Sequence, residues 1–315
     1  MWRTRTTRTT QQLTEDGSYL LEHEYQVIGL VPDMENEITF TLAETDGQTE
    51  EQTITYEMGS LLGQEAVQLE TEEGDNGEDV IVRLDVSDGT VEEVLDLGDL
   101  FGSYKEACVE NSDGELDWIH INTIQWMGDG QVLLSSRETS SIIKVADLYG
   151  TPSVDYMISD PAVWSDTEWA GLVLEKDGDF ASQGGQHSIT YVEDESLPEG
   201  QYYLYMFNNN IGVSETRPDF DWRVIDGIQS EAVDGTTSYY YKYLVDETAG
   251  SYELVERFEV PYSGYVSSVQ EIGDNVVADS GMQGIWGEYD SENNLIRSFT
   301  MEKESFIYRV YKYEL

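Results

Sequence analysis

The sequence predicts an all-β protein in which a β-propeller follows a small β-sandwich-like segment at the N-terminus. Short alternating or apolar runs are separated by turns rich in Gly, Asp and Asn, which is typical of antiparallel strands. Helical periodicity is nearly absent. Units of strand, turn and strand recur at irregular spacing, and repeated four-stranded units of this kind indicate a propeller. An array of β-sandwiches is the structural alternative.

The N-terminal part of the chain has a different pattern from the rest. Residues 1–17 are predicted to be disordered. Residues 18–56 contain three alternating runs, at 24–28, 37–42 and 51–56, which turns at 32–33 and 46–47 separate, so they are predicted to form a small β-domain or part of one. His23 lies in this segment, remote in sequence from the motifs described below, and we interpret it as a surface residue.

The remainder, residues 57–315, is predicted to form the propeller. Its strands are arranged in repeated meanders, with turns that contain Gly, Asp or Asn. The predicted units lie at 80–97, 117–158, 186–226, 239–260 and 266–299.

The charge of the chain is extreme. It has 64 acidic and 16 basic residues, which give a formal net charge of −48. Self-repulsion on this scale opposes compaction in dilute buffer, whereas a Debye length of about 3 Å in molar salt screens most of it. An acidic disordered protein is the simpler interpretation, but 39% hydrophobic and 11% aromatic residues oppose it. The composition therefore predicts a salt-adapted protein, of haloarchaeal type, for which nucleic acids and anionic lipid surfaces are poor partners.

Sequence features also bear on cellular location. No run approaches 18 apolar residues, so no transmembrane segment is predicted. The first twelve residues carry three arginines without an apolar segment behind them, so no complete signal peptide is predicted either. The single cysteine, Cys108, excludes a disulfide within this chain.

The most informative stretch for function is residues 117–145. Its pattern predicts three short strands, at 119–126, 131–136 and 141–145. His120 and Asn122 are two residues apart, so on a strand both side chains lie on the same face.

A guanidinium joins this pair. Arg137 follows the second strand. In a hairpin the end of the second strand lies beside the start of the first, so one meander brings together an imidazole, an amide and a guanidinium. This combination suits an oxyanion such as sulfate or phosphate. A lone His or Arg at a strand end is, however, more often a surface or capping residue.

Two motifs carry a resemblance to a known family. DWIHINTI followed by LLSSRETS resembles the arylsulfotransferase family, whose motif is Trp-x-His-x-Asn-Ser/Thr followed by Ser-x-Arg. Downstream, GQHS at 185–188 and YMFNN at 205–209 are similar to that family's Gln-His-Ser/Thr strand and Phe-Asp-Asn-Gly turn. The resemblance covers most of residues 18–315 and implies a six-bladed propeller, some blades being trimmed, after an N-terminal β-domain.

The resemblance also implies roles for the residues that match. His187 matches the nucleophile, which carries the sulfuryl group as a sulfohistidine. His120 matches the histidine that contacts the sulfuryl oxygens and assists proton transfer. Arg137 matches the arginine that neutralises the sulfuryl group. Asn122 and Asn208 are further candidates for substrate binding, and each either orients a catalytic histidine or closes a turn.

The scheme implied by the family requires no metal, nucleotide or other cofactor. Family members often act outside the cytoplasm, so an extracytoplasmic location is implied as well. The chain departs from the family pattern at one point, because no histidine lies between His23 and His120, where the family usually has one.

These observations predict an arylsulfotransferase that moves a sulfuryl group from an aryl sulfate ester to a phenol. A non-catalytic propeller that serves as a binding module, and an aryl-sulfate hydrolase, are the alternatives. The acidic surroundings are expected to raise the pKa of the histidines. Activity is then expected to decline toward acid as His187 becomes protonated.

Overall fold

The computed structural model describes residues 34–43, 49–58, 80–84, 90–231, 233 and 235–313. The chain divides into two compact units, residues 1–73 with 314–315 and residues 74–313. The segment 1–17 and His23 lie outside the described residues. None of the described helices has the length and apolar character that crossing a membrane requires.

The described part of the first unit is an antiparallel hairpin. Strand β1 (Met34–Ala43) pairs with β2 (Thr49–Met58) along its whole length. The strands predicted at 37–42 and 51–56 are therefore confirmed. The earlier run predicted at 24–28 lies outside the described residues.

The second unit includes a two-stranded sheet followed by short helices. Strands β3 (Val80–Leu84) and β4 (Val91–Asp96) pair antiparallel, as predicted. Helices α1 (Leu97–Leu100) and α2 (Gly102–Ala107) follow. The carboxylate of Asp96 begins α1 by accepting a backbone N–H at 2.7 Å, as a helix-capping residue does.

The next sheet is a four-stranded antiparallel meander. Its strands are β5 (Ile121–Gly128), β6 (Gln131–Ser136), β7 (Ser141–Ala146) and β8 (Ser153–Ile158), each paired with the next. The strand predicted at 131–136 has these bounds, whereas the one predicted from Ile119 begins two residues later. The cause is His120, whose φ of 47° is left-handed and cannot continue a strand.

The following sheet corrects the sequence prediction. Its strands are β9 (Glu175–Asp177), β10 (His187–Val192), β11 (Gln201–Asn208), β12 (Ser238–Asp246) and β13 (Ser251–Val260), in the spatial order β10-β11-β12-β13-β9. The units predicted at 186–226 and 239–260 therefore form one sheet. β11 pairs with β12 throughout, and the 29-residue connection between them, not a sheet boundary, separates the two runs.

The last sheet is again a four-stranded antiparallel meander. Its strands are β14 (Ser268–Ile272), β15 (Asn275–Ser280), β16 (Ile285–Tyr289) and β17 (Leu295–Thr300), which confirms the unit predicted at 266–299. Short helical turns occur between strands, at Pro161–Trp164 (α3), Ala170–Leu172 and Trp222–Val224. Successive four-stranded meanders are the blades of a β-propeller, so the predicted all-β fold is confirmed.

The first strands of the sheets lie side by side. The backbone N–H of Ser188 in β10 donates to Thr123 Oγ1 of β5 at 3.1 Å, and the Ser188 hydroxyl donates to Val269 O of β14 at 3.3 Å. Polar side chains thus tie β5, β10 and β14 to one another. Of the residues singled out in the sequence, Asn122 and His187 lie on these strands, and His120 directly precedes β5.

The C-terminal segment, residues 307–313, continues the same arrangement beside β14. Gln270 accepts from Lys312 N at 2.7 Å, just as Gln125 of β5 accepts from Tyr191 N of β10 at 3.2 Å. Val310 N donates to Ser268 Oγ at 2.9 Å, as Ser188 N donates to Thr123 Oγ1 at 3.1 Å, so Arg309 directly precedes this contact as His187 does in β10.

Aromatic side chains fill much of the interior of the second unit. Trp118, Trp164 and Phe101 have no exposed surface, and the rings of Phe101 and Trp164 lie 5.7 Å apart. The Trp164 indole N–H donates to Ser141 Oγ at 2.9 Å, so its polar atom is satisfied. Such packing holds the sheet that carries His120 and Arg137.

Candidate functional site

Equivalent positions on successive sheets carry the two histidines. His120 directly precedes β5, and His187 is the first residue of β10. The backbone turns sharply at these points, because His120 and Ser188 have φ values of 47° and 56°. Ser267, directly before β14, has a φ of 92°. Non-glycine residues in this region store about 1–3 kcal/mol of strain each, and such strain clusters at functional sites.

One ring nitrogen of His187 is hydrogen-bonded, and the other has its lone pair available. Its side chain is almost fully buried. Nδ1 lies 3.0 Å from Gly185 O and 2.9 Å from Asn209 Oδ1, and both atoms are acceptors. Nδ1 must therefore carry the hydrogen, which leaves the lone pair on Nε2. Nε2 has no hydrogen-bond partner in the described part of the chain.

The protonation state of His187 follows from its burial. Burial lowers the pKa of this histidine to about 4, and the positive charges of Arg137 and His120 act in the same direction. Its bonds to Asn209 and Gly185 oppose the shift only in part. The expectation that acidic surroundings raise the histidine pKa values is wrong for His187, because burial lowers its pKa and the nearby charges that act on the ring lower it further.

Asn209 is held so that its oxygen faces His187. Its Nδ2 donates to Ser263 O at 2.7 Å and to Val266 O at 3.0 Å. Because both of these partners are carbonyl oxygens, they fix the amide orientation and leave Oδ1 for the imidazole. The sequence motif included Asn209, but the candidate chosen there was Asn208.

Asn208 has a different role in the structure. Its Oδ1 accepts from Gly184 N and from Asn210 N, each at 2.9 Å. These bonds join the end of β11 to the backbone that leads into β10. Of the two alternatives left open for this residue, the geometry favours closing a turn.

Asn122 supports the backbone beside His187. Its Nδ2 donates to Gln186 O at 2.8 Å, which links β5 to the start of the next sheet. The Gln186 amide in turn donates to Ser136 O at 3.1 Å and Ser141 O at 2.9 Å. The residue before the nucleophile candidate is thus fixed from the neighbouring sheet.

His120 is the more exposed of the two histidines. Its Nδ1 contacts the carboxylate of Asp117, and 38% of its side chain is accessible. Its carbonyl accepts from Arg137 N at 3.1 Å, so the two residues meet at the end of the β5–β6 pair, as the hairpin argument predicts.

Arg137 lies against a buried carboxylate that sequence reasoning missed. Its Nη1 is 2.5 Å from Glu138 Oε1, and Glu138 also accepts from Glu215 N at 3.1 Å. Burial raises the pKa of Glu138, and the charge of Arg137 opposes this rise. The guanidinium is therefore oriented by a side chain next to it in sequence, and part of its charge is balanced locally.

An aromatic side chain from the C-terminal segment completes the surroundings of His187. The ring of Tyr308 meets the imidazole edge-on, with 6.4 Å between ring centres. No sequence signal indicated this contact, because 121 residues separate the two positions. The structure brings His120, Asn122, Arg137 and the segment of His187 together, while Asn208 lies in the supporting turn.

Comparisons with known proteins agree on the family and reach it independently of the site geometry. A family model described as "Arylsulfotransferase (ASST)" matches residues 36–311. A second, described as "Arylsulfotransferase Ig-like domain", matches residues 4–59. None of the curated proteins compared with the chain matches it.

Several solved structures match the chain at low sequence identity. A Lactobacillus plantarum protein is 10% identical over 73% of this chain and 68% of its own, with a TM-score of 0.33. Virginiamycin B lyase from Staphylococcus aureus is 13% identical over 93% and 77%, with a TM-score of 0.31. The β-propeller domain of Nup133 from Vanderwaltozyma polyspora is 8% identical over 74% and 60%, with a TM-score of 0.32. We draw no functional conclusion from matches at this distance.

Proposed function

We propose, because this chain belongs to the arylsulfotransferase family, that it moves a sulfuryl group from an aryl sulfate ester to a phenol through a sulfohistidine at His187. Family membership supports a function of the aryl-sulfotransferase type in general. The donor chemistry, the covalent intermediate and the residue roles are our proposal. No nucleotide donor enters this scheme.

The state of the His187 ring is the observation that carries the proposal. A nucleophilic imidazole must be neutral and must present a lone pair to the substrate. Burial keeps the pKa of His187 near 4, and two acceptors hold the hydrogen on Nδ1. Nε2 is consequently the nucleophilic atom, and it needs no general base to activate it at neutral pH.

The first half-reaction breaks the donor ester. Nε2 of His187 attacks the sulfur, an N–S bond forms, and the S–O bond to the aromatic ring breaks with its electron pair on the leaving oxygen. His120 gives a proton to that oxygen. The positive ring that forms at His187 is stabilised by Gly185 O and Asn209 Oδ1, which accept its Nδ1 hydrogen.

The second half-reaction restores the enzyme. The oxygen of the acceptor phenol attacks the sulfur, its proton passes to His120, and the N–S bond breaks so that Nε2 recovers its lone pair. Arg137 donates to the equatorial oxygens of the sulfuryl group in both steps, from an orientation that Glu138 fixes. Covalent catalysis thus divides one difficult transfer into two easier ones.

The net charge sets a condition on substrate binding. An aryl sulfate is an anion, and a protein with a net charge of −48 repels it at long range in dilute buffer. In molar salt the range of that repulsion falls to a few ångströms. The sulfate group then interacts mainly with the adjacent Arg137 and His120. Binding that is strongest in dilute buffer, with the fold intact, would show this part of the proposal to be wrong.

A turnover assay separates the candidate functions. The protein is incubated in molar KCl with a chromogenic aryl sulfate, with and without an added phenol. Phenol-dependent release of the chromophore with sulfation of the phenol supports transfer. Phenol-independent release with free sulfate would instead support a hydrolase, and no release by a folded sample would support a non-catalytic module. Replacement of His23 by Gln, outside the motifs, is the matched control for His187→Ala.

A further inference from the structure

Asp279 of β15 is a buried carboxyl group without a hydrogen-bond partner. Its side chain has no exposed surface, and neither of its oxygens is hydrogen-bonded within the described part of the chain. Two other buried carboxylates contrast with it, because Glu138 contacts Arg137 and Glu288 contacts Lys312. Buried polar groups almost always have partners, so an orphaned carboxyl group requires an explanation.

The C-terminal segment covers this carboxyl group. Asp279 lies directly opposite Ser268 of β14, so the two side chains are adjacent on one face of the sheet. The Ser268 hydroxyl accepts from Val310 N at 2.9 Å. Gly281, two residues after Asp279, accepts from Ile307 N at 3.1 Å, and a Cβ there would lie 1.9 Å from Ile307 O. The segment therefore crosses the face of the sheet at Asp279, between these two attachments.

The same stretch of the segment reaches the candidate site. The ring of Tyr308 meets the His187 imidazole edge-on, and Arg309 Nη2 donates to Asn122 O at 2.8 Å. Both residues lie between the two attachments that flank Asp279. Release of the segment from β14 would therefore uncover one side of the His187 ring.

Ionisation of Asp279 opposes the docked position of the segment. A buried carboxylate without donors lacks the hydrogen bonds that water supplies, so burial favours the protonated form. Burial alone raises the pKa of Asp279 from the ordinary aspartate value of 3.8 to about 7. When the segment leaves, the group meets water and its pKa returns toward the ordinary value. Docking is therefore strongest when Asp279 is protonated, weakens as the pH rises toward 7, and changes little above it.

The neighbours of Asp279 on the sheet do not titrate in the same range. Ser268 and Trp286 lie opposite it on β14 and β16, and neither side chain ionises near neutral pH. Further along β16, Glu288 contacts Lys312 of the segment, and this bond holds the pKa of Glu288 below its usual range. That pair therefore stays ionised between pH 6 and 8.

The remaining charged groups near the segment give no competing signal of the same sign. Arg309 of the segment and Arg297 of β17 are charged throughout. His187, which lies against Tyr308, would gain a proton more easily once its ring is exposed, so its protonation favours release at low pH. Ionisation of Asp279 favours release at high pH, and the two effects are distinguished by their sign.

We propose that the C-terminal segment is a pH-sensitive cover over one side of the candidate site, released when the buried Asp279 ionises. Docking of the segment does not depend on sulfuryl transfer. Only its effect on turnover rests on the proposed function, because release exposes the proposed nucleophile, His187.

Hydrogen exchange followed by mass spectrometry tests this proposal in molar KCl at pH 6, 7 and 8, with exchange times scaled to the intrinsic rate at each pH. In the wild type, the protection of residues 307–312 should fall about tenfold between pH 6 and 8. It should stay below the protection of residues 131–136 at every pH, because release of the segment is local and does not require global unfolding.

Three variants identify the group that titrates. Asp279→Asn keeps the shape of the side chain but cannot ionise, so its segment should be equally protected at pH 6 and 8. Asp274→Asn removes a carboxylate from the exposed turn between β14 and β15 and should behave as the wild type does. His187→Gln should also retain the tenfold fall, whether or not His187 is the nucleophile, so the result is independent of the proposed function.

Two outcomes with the wild type alone would overturn the proposal, so the test does not depend on the folding of a variant. They are equal protection of the segment at pH 6 and 8, and protection of the segment equal to that of residues 131–136. A folded Asp279→Asn that retains the fall would overturn it as well. So would loss of the fall in Asp274→Asn or His187→Gln.

Discussion

Burial of a single imidazole decides which of its forms is present at neutral pH. The His187 side chain is 3% exposed, and its pKa falls to about 4 although the chain is strongly acidic. Net charge acts through solvent and is screened, whereas desolvation acts on the ring directly. The burial of this one side chain therefore determines its pKa more than the net charge of the chain does.

The first prediction concerns the pH dependence of the sulfuryl-accepting step. Formation of sulfohistidine in a single turnover should be independent of His187 protonation between about pH 5 and 8, and should fall near pH 4. Quench-flow measurement at a series of pH values checks this. A decline centred near pH 6.5 would mean that the ring is not desolvated as described.

The same shift has a consequence for stability. Between the ordinary histidine pKa of 6.5 and the folded value of about 4, the unfolded chain binds more protons than the folded one. The stabilisation is thus complete above pH 6.5 and is lost as the pH falls toward 4, on the order of 3 kcal/mol in all. Chemical denaturation should show a steeper loss over this range in the wild type than in His187→Gln, and equal slopes would contradict the account.

Asn209 is predicted to fix the reactive tautomer of His187. Asn209→Ala should lower kcat about 10- to 100-fold with little change in KM, because Asn209 bonds to Nδ1 of His187 and to backbone carbonyls, on the side of the ring away from the reacting Nε2. Asn209→Asp retains an acceptor but adds a negative charge beside Nδ1, so it should also move the acid limb of the profile to higher pH. Steady-state kinetics of both variants over pH test this, and an unshifted limb in a folded Asn209→Asp protein would reduce Asn209 to a packing residue.

Elements joined at short range were predictable, and those joined across a long loop were not. The bounds of β6 follow directly from its apolar run and flanking turns. β12 was assigned to a separate unit because residues 209–237 intervene before it pairs with β11. Pairing partners depend on which strands meet in space, and a single sequence does not contain that information when the connection is long.

The candidate site likewise combines residues that are close in sequence, which were predictable, with residues from distant segments, which were not. His120, Asn122 and Arg137 are close in sequence, and the motif sufficed to place them together. The contacts from Asn209 and Tyr308 to His187 join different segments, so no local pattern could reveal them. Glu138 was adjacent to Arg137 in the motif, but only its burial shows that it orients the guanidinium.

The turn before β10 gives a prediction at the scale of elements. Gly185 has a φ of +57°, and a Cβ there would lie 2.8 Å from Ile211 O, a backbone atom that cannot move easily. Gly185→Ala should cost about 3 kcal/mol or more in the free energy of unfolding. The control is Gly114→Ala, where φ is +81° and nothing lies within 4 Å of the added Cβ, so that about 1 kcal/mol is expected.

Denaturant titration of the two glycine variants measures the difference. Equal losses would mean that the contact with the Ile211 carbonyl does not constrain this turn. A larger loss of unfolding free energy in Gly185→Ala than in Gly114→Ala would show that the turn before His187 depends on its packing against the 209–212 loop.

For the whole molecule, the charge predicts a requirement for salt. At a net charge of −48, shortening the Debye length from about 10 Å at 0.1 M to about 3 Å at 1 M removes most of the repulsion that opposes the folded state. The Tm should rise steeply with KCl over this range. Sucrose, which acts by exclusion without screening, serves as the control, and an equal rise in sucrose would contradict an electrostatic cause.

The central claim, sulfuryl transfer through His187, is tested most directly by intact-protein and peptide mass spectrometry after incubation with an aryl sulfate in the absence of acceptor. The account predicts a mass increase of one sulfuryl group, located on His187, lost on addition of a phenol and absent from His187→Ala. Turnover with no modified His187, or with unimpaired rate in His187→Ala, would contradict it.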